Sequence, residues 1–147
     1  AGGMTLAIRI MGYVLAAFLA FMGVQKFIGD VPVFQIIETN AAGQWGADLP
    51  WIEPWFRYLT GALEIVAAGL LVLGHRRSGG AMATLILAGA LGAHLTVLGV
   101  ETPMSSAPDA ARGPTLFYMA LGAFAISLLV TAGALMVKRP TGSASAL

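Results

Sequence analysis

Residues 55–73 read WFRYLTGALEIVAAGLLVL, and this stretch decides the fold. It is close to the roughly 20 residues that cross the hydrocarbon core of a bilayer as a helix. Three further runs match it: Leu6–Phe27, Gly79–Leu98 and Leu116–Val137. In lipid every backbone amide must find its partner within the segment, so apolar runs of this length are helices. The alternation of a barrel strand is absent, and no internal repeat is evident. The sequence predicts an all-α protein, an integral membrane four-helix bundle, in a single domain over residues 4–139.

Composition agrees. The chain is 58% hydrophobic and 10% charged, against about 25% charged in an average soluble domain, and its mean hydropathy is +0.83. A chain this short needs a polar surface if water surrounds it, so its outer surface is expected to face lipid. A net charge of +1 lacks the dense basic face that nucleic acid demands. With no cysteine, disulfides, thiolate catalysis and thiolate metal sites are excluded.

Ala1-Gly2-Gly3 before Met4 reads as a tag scar. Arg9, an apolar run and Ala16-Ala17-Phe18-Leu19-Ala20 together have the outline of a signal peptide. The run continues to Val24, however, and is read as a membrane helix. Residues 140–147 are expected to form a disordered tail.

The connections differ in character. His75–Gly79 is a tight basic turn, and Thr102–Pro114 is polar with three prolines. Phe27–Pro54 is the longest. Within it Pro32–Glu38 reads as a short interfacial helix begun by proline, with Val33, Phe34, Ile36 and Ile37 available to the membrane surface. Trp45, Trp51 and Trp55 follow, and tryptophan favours the headgroup zone. The loop is expected to form a lid or collar, or simply an interfacial anchor. Arg9, Arg76, Arg77, Lys138 and Arg139 fall on one side of a four-span arrangement. Arg57 and Arg112 lie on the other, outweighed by Asp30, Glu38, Asp48, Glu53, Glu101 and Asp109. The excess of basic residues places both termini in the cytoplasm and the tryptophan-bearing loop on the far side.

Lipid gives no hydrophobic drive between helices, so small residues mark the expected contacts. The stripes are Gly12, Ala16, Ala20 and Gly23 in the first span, and Gly61, Ala68 and Gly69 in the second. In the third they are Gly80, Thr84, Ala88, Gly92 and Thr96, and in the fourth Gly122, Ala125, Ser127 and Thr131.

Packing does not explain the polar residues. Glu64 lies about nine residues inside the second span, roughly 13 Å at helical rise, where a carboxylate is costly unless paired or protonated. Arg57, seven residues earlier, shares its face. Lys26 closes the small-residue face of the first span, although a lysine there can also snorkel to the headgroups. Gln25 is its neighbour on another face. His94 and Tyr118 lie at the same end of the third and fourth spans. Two readings stay open. In one, Lys26–Glu64 is an ion pair with His94 and Tyr118 as hydrogen-bond partners, fixing register alone. In the other, Gln25, Lys26, Arg57, Glu64, His94 and Tyr118 line a pocket for a small lipophilic ligand, with Glu64 and His94 as candidates for proton handling. One histidine and one carboxylate are too few for a metal site.

Gly23-Val24-Gln25-Lys26-Phe27-Ile28-Gly29, Gly61–Gly69 around Glu64, and Gly92-Ala93-His94-Leu95 resemble segments of DoxX-like bacterial membrane proteins, in the same order and over Met4–Lys138. The long loop bearing the tryptophans departs from that family. The resemblance implies a bacterial inner-membrane subunit or accessory of a quinone-linked oxidoreductase, with quinone as a bound, non-covalent cofactor and a membrane redox protein as partner. The rivals are a non-catalytic small-molecule or lipid binder or transporter, and a structural subunit that docks other helices or its own copies. The residues do not decide whether the protein is an enzyme.

Overall fold

A computed structural model describes residues 2–137. Ala1, Lys138, Arg139 and the tail assigned to residues 140–147 lie outside the described residues. The elements in chain order are α1 (Gly2–Ile28), α2 (Val33–Trp45), a π-helical turn (Ile52–Phe56) leading into α3 (Arg57–Val72), and α4 (Arg76–Ala93) running into a second π-helical turn (His94–Leu98). A two-stranded antiparallel ladder follows, β1 (Thr102–Pro103) on β2 (Arg112–Gly113), and then α5 (Thr115–Met136). Four helical segments, Gly2–Ile28, Ile52–Val72, Arg76–Leu98 and Thr115–Met136, are long and apolar enough to cross a membrane. The protein is an integral membrane helical bundle, and the small ladder is its one departure from an all-α chain among the described residues.

Local chemistry sets the boundaries. Proline precedes α2 (Pro32) and α5 (Pro114), where its fixed φ suits a helix start and its missing N–H costs nothing. The helix expected over Pro32–Glu38 continues to Trp45. It ends where Gly46 turns left-handed at φ 63° and donates its amide to the Ala41 carbonyl, a conformation glycine adopts without strain. The interfacial helix is thus longer than the loop's polarity suggested, because Ala41 and Ala42 carry it past Asn40.

The bundle centre is built from small and medium residues: Leu15, Ala16 and Leu19 of α1; Ala67, Ala68 and Leu71 of α3; Ala83 and Leu87 of α4; Ala123 and Val130 of α5. Large apolar side chains such as Ile28, Leu73 and Leu85 point outward, as lipid permits. The most extensive contact joins α1 to α3, and the next joins α4 to α5. At the first, a Cβ on Gly23 would stand 2.8 Å from the Gly61 carbonyl, and one on Gly61 would stand 2.9 Å from the Gly23 carbonyl and from the Lys26 Cβ. At the second, the Thr84 hydroxyl donates to Ser127 Oγ at 3.0 Å, and Ser127 donates in turn to the Phe124 carbonyl at 2.7 Å. Arg77 donates from Nε to the Ala134 carbonyl and from Nη2 to the Val137 carbonyl, closing the end of α5.

The expected stripes hold only in part. Gly80 and Thr84 pack on α5, but Ala88, Gly92 and Thr96 of the same four-residue series face outward. A residue turns through 100° in an α-helix, so each four-residue step drifts by about 40° and the series rotates away from its neighbour. Gly69, Gly122 and Ala125 are also exposed.

Gly61→Leu is expected to lower the thermal midpoint in detergent, by the equivalent of ~1–3 kcal/mol, because backbone lies where the side chain must go. Gly122→Ala, with nothing within 4 Å of its Cβ, is expected to leave it unchanged. Equal midpoints for the two variants would refute the close α1–α3 contact.

Candidate functional site

Gly23 and Gly61 bring α1 and α3 together at the bundle end opposite the termini, and this approach creates the principal polar feature. Lys26 Nζ lies 2.5 Å from Glu64 Oε1, with both side chains buried. Nζ also lies 3.4 Å from the Met22 carbonyl. Oε1 makes no directed hydrogen bond among the described residues, so the bond to Lys26 is a charge pairing rather than a well-aligned hydrogen bond. Lys26 points inward rather than snorkelling.

Arg57 does not join this pair. Helical side chains lean toward the N-terminus of their own helix, and Arg57 reaches back from the start of α3. Its Nε lies 2.9 Å from both carboxylate oxygens of Glu53, and its Nη2 lies 2.6 Å from Oε1. Nη1 donates to the Lys26 carbonyl, one of the carbonyls left without a helical partner where α1 ends. The guanidinium also stands 4.7 Å from the centre of the Tyr58 ring. Glu53 in turn donates its backbone amide to a carboxylate oxygen of Glu38 of α2 at 3.0 Å. A polar chain therefore runs from α2 through Glu53 and Arg57 to the last turn of α1, whose Lys26 holds Glu64.

The other sequence candidates separate. His94 is buried, but its Nδ1 bonds the Gly99 carbonyl at 2.8 Å and its ring meets Phe117 edge-on. A carbonyl only accepts, so Nδ1 carries the proton. Tyr118 is 61% exposed: it lies two residues before the buried Ala120, about 200° around the helix. Gln25 is half-buried, and its carbonyl accepts from the Gly29 amide at 2.7 Å. The six residues expected to line one pocket thus fall into a buried pair, a helix-end clamp, a histidine closing the turn after α4, and two side chains apart from these. Among the described residues no group of three or more His, Asp or Glu side chains is placed to hold a metal ion.

The loops form a cap over this end. Trp45, Trp51 and Trp55 are exposed, Trp51 meets Phe56 edge-on, and Trp55 meets Tyr58, which stacks on Phe27 at 5.4 Å. Asn40 Nδ2 donates to the Val97 carbonyl at 2.9 Å. The Ser106 amide donates to Asp30 Oδ2 at 2.8 Å and its hydroxyl donates to Oδ1. These bonds hold the Asp30 carboxyl below the usual carboxylate range. Between α2 and the 102–113 hairpin lies an open groove of about 510 Å³. The sequence reading missed this groove and the ties that frame it. Neither tie announces itself in the sequence: Glu53 is extended rather than helical, so its bond to Arg57 is not a helical four-residue pair, and Asp30 and Ser106 lie far apart in the chain.

Fold and site together define a four-span membrane bundle pinned by one buried lysine–glutamate pair and capped at one end by a tied loop layer. The chain matches the family model of the methylamine utilisation protein MauE over residues 4–106, and it belongs to that family. No curated protein and no solved structure matches it. The match corrects the resemblance to DoxX-like proteins: short segments of glycines around one charged residue serve close helix packing in any such bundle, and they do not distinguish families.

Lys26→Met leaves Glu64 buried without its cation and is expected to cost ~3–5 kcal/mol, read as a lower thermal midpoint, with much of the loss recovered in Lys26→Met/Glu64→Leu. A double variant no more stable than the single would show that the pairing is not what holds the helices. Asp30, lowered on folding, contributes its tie at neutral pH and loses it as pH falls through its folded value. The Ser106 amide proton shift should therefore titrate with a midpoint below that of an unperturbed aspartate, and Asp30→Asn should abolish the titration.

Proposed function

We propose that this protein is a non-catalytic membrane accessory of methylamine utilisation that works through its cap. In this reading it sits in a bacterial inner membrane with the cap turned away from the cytoplasm. The observation that carries the proposal is how the polar groups are used. Within the bundle Lys26, Glu64, Arg57 and His94 are taken up by one another and by helix ends. In the cap, polar side chains border an open groove. A site that handled protons or electrons within the spans would need its ionisable groups to face a substrate. The orientation is supported by Arg9, Arg76 and Arg77 at the termini end and by the acidic residues Asp30, Glu38, Asp48, Glu53, Glu101 and Asp109 at the cap end. The family supplies the process, methylamine utilisation.

A second reading has one observation in its favour. The stacked Phe27–Tyr58 pair is directly adjacent to the Lys26–Glu64 level, since a Cβ on Gly61 would touch both Phe27 and Lys26. A flat lipophilic redox molecule such as a quinone could lie on such rings beside an ionisable pair, with a membrane redox protein as partner.

Removing the protein from its native host is expected to abolish or slow growth on methylamine as nitrogen source and to leave growth on ammonium unchanged. Glu64→Gln should restore growth to the deleted strain if the pair only holds the fold. Loss of growth with a folded Glu64→Gln protein, together with quinone in extracts of the purified wild type, would move the assignment to the second reading. Equal growth of deleted and intact strains on methylamine would end the first.

A further inference from the structure

The groove between α2 and the hairpin has two walls, one a helical face and the other largely the turn of the hairpin. From α2 and the proline before it, the groove is lined by Pro32, Gln35, Ile36, Thr39 and Asn40, spaced by three and four residues and hence on one helical face. From the hairpin it is lined by Pro103 and Arg112 of the ladder and by residues 105–108 and 110 of the turn between the strands. The Asp30–Ser106 bonds and the Asn40–Val97 bond hold the walls at a fixed separation.

The lining is amide, hydroxyl and small apolar, with a single charge. Arg112 donates from Nη2 to the Glu101 carbonyl at 3.1 Å, which positions the guanidinium and leaves Nε and Nη1 for another acceptor. Amide and hydroxyl side chains suit the neutral donors and acceptors of a polypeptide backbone, and the lone guanidinium suits one carboxylate. The volume is in the range of small binding sites, enough for a short extended segment rather than a folded domain.

We propose that this groove binds an extended peptide segment of a partner protein, with a carboxylate of that segment seated on Arg112. The proposal rests on the reading of the cap as the working surface and gives that surface its ligand class. The test uses the full chain in phosphatidylcholine nanodiscs and three fluorescent octapeptide pools, identical except for a central Asp, Asn or Lys, with binding followed by anisotropy. The Asp pool is expected to bind about tenfold more tightly than the Lys pool, as one charge-assisted contact warrants. Arg112→Gln should erase that preference while weak binding of all pools persists. Thr39→Trp, which fills the groove, should abolish binding, and Arg9→Gln at the opposite end should change nothing. Equal binding of the three pools, or unchanged binding to Thr39→Trp, overturns the proposal. Displacement of the Asp pool by phosphatidylglycerol vesicles also overturns it, in favour of a lipid headgroup. If the pools bind as expected while the deleted strain grows normally on methylamine, the peptide site stands and the accessory role falls. If growth is lost and no pool binds, the reverse holds.

Discussion

A lysine and a glutamate held 2.5 Å apart between two apolar helices limit what the rest of the bundle can do. Either charge alone would be costly in lipid, and the two offset each other only while α1 and α3 stay in register. Register in turn needs the backbones close, which is why Gly23 and Gly61 face each other with no room for a Cβ. The pair therefore acts as a lock on rotation and sliding, and the glycines are the clearance that lets the lock engage. Arg57 extends it outward. By closing the end of α1 and holding Glu53, it ties the π-helical turn before α3, and through Glu38 the interfacial helix, to the helix that carries Lys26.

Most of the architecture was legible from residues alone because a bilayer restricts the backbone so severely. The runs over 6–27, 55–73, 79–98 and 116–137 each fall on one of the four helical segments long and apolar enough to cross a membrane, and Lys26–Glu64 was available as one of two readings. Side-chain direction was harder to read. Arg57 and Glu64 do share a helical face, yet a long side chain near a helix start leans back into the cap. Tyr118 was placed at the right depth and on the wrong side. A motif of small residues spaced by four looked continuous along α4, but a helix turns faster than that spacing follows, so only Gly80 and Thr84 meet α5. The cap was the least legible part. Its ties link Asp30 to Ser106 and Asn40 to Val97, pairs that nothing in local sequence connects.

The family match extends from residue 4 to residue 106, so it takes in three spans and stops within the hairpin. The fourth span packs on α4 and α1 and supplies Ser127, whose buried hydroxyl orients α4. The part of the chain that the family model covers thus already contains the lysine, the glutamate and the interfacial helix, and α5 completes the wall that closes the bundle.

The groove straddles a seam. Its helical wall hangs from α1 and α3, whereas its hairpin wall grows out of α4 and α5, and these are the two most closely packed pairs in the bundle. Any change in tilt between the pairs must alter the distance between the walls, with the Asp30–Ser106 and Asn40–Val97 bonds as the springs that resist it. The cap is in this sense a gauge of the membrane domain beneath it. By the same geometry, whatever fills the groove staples the two halves together.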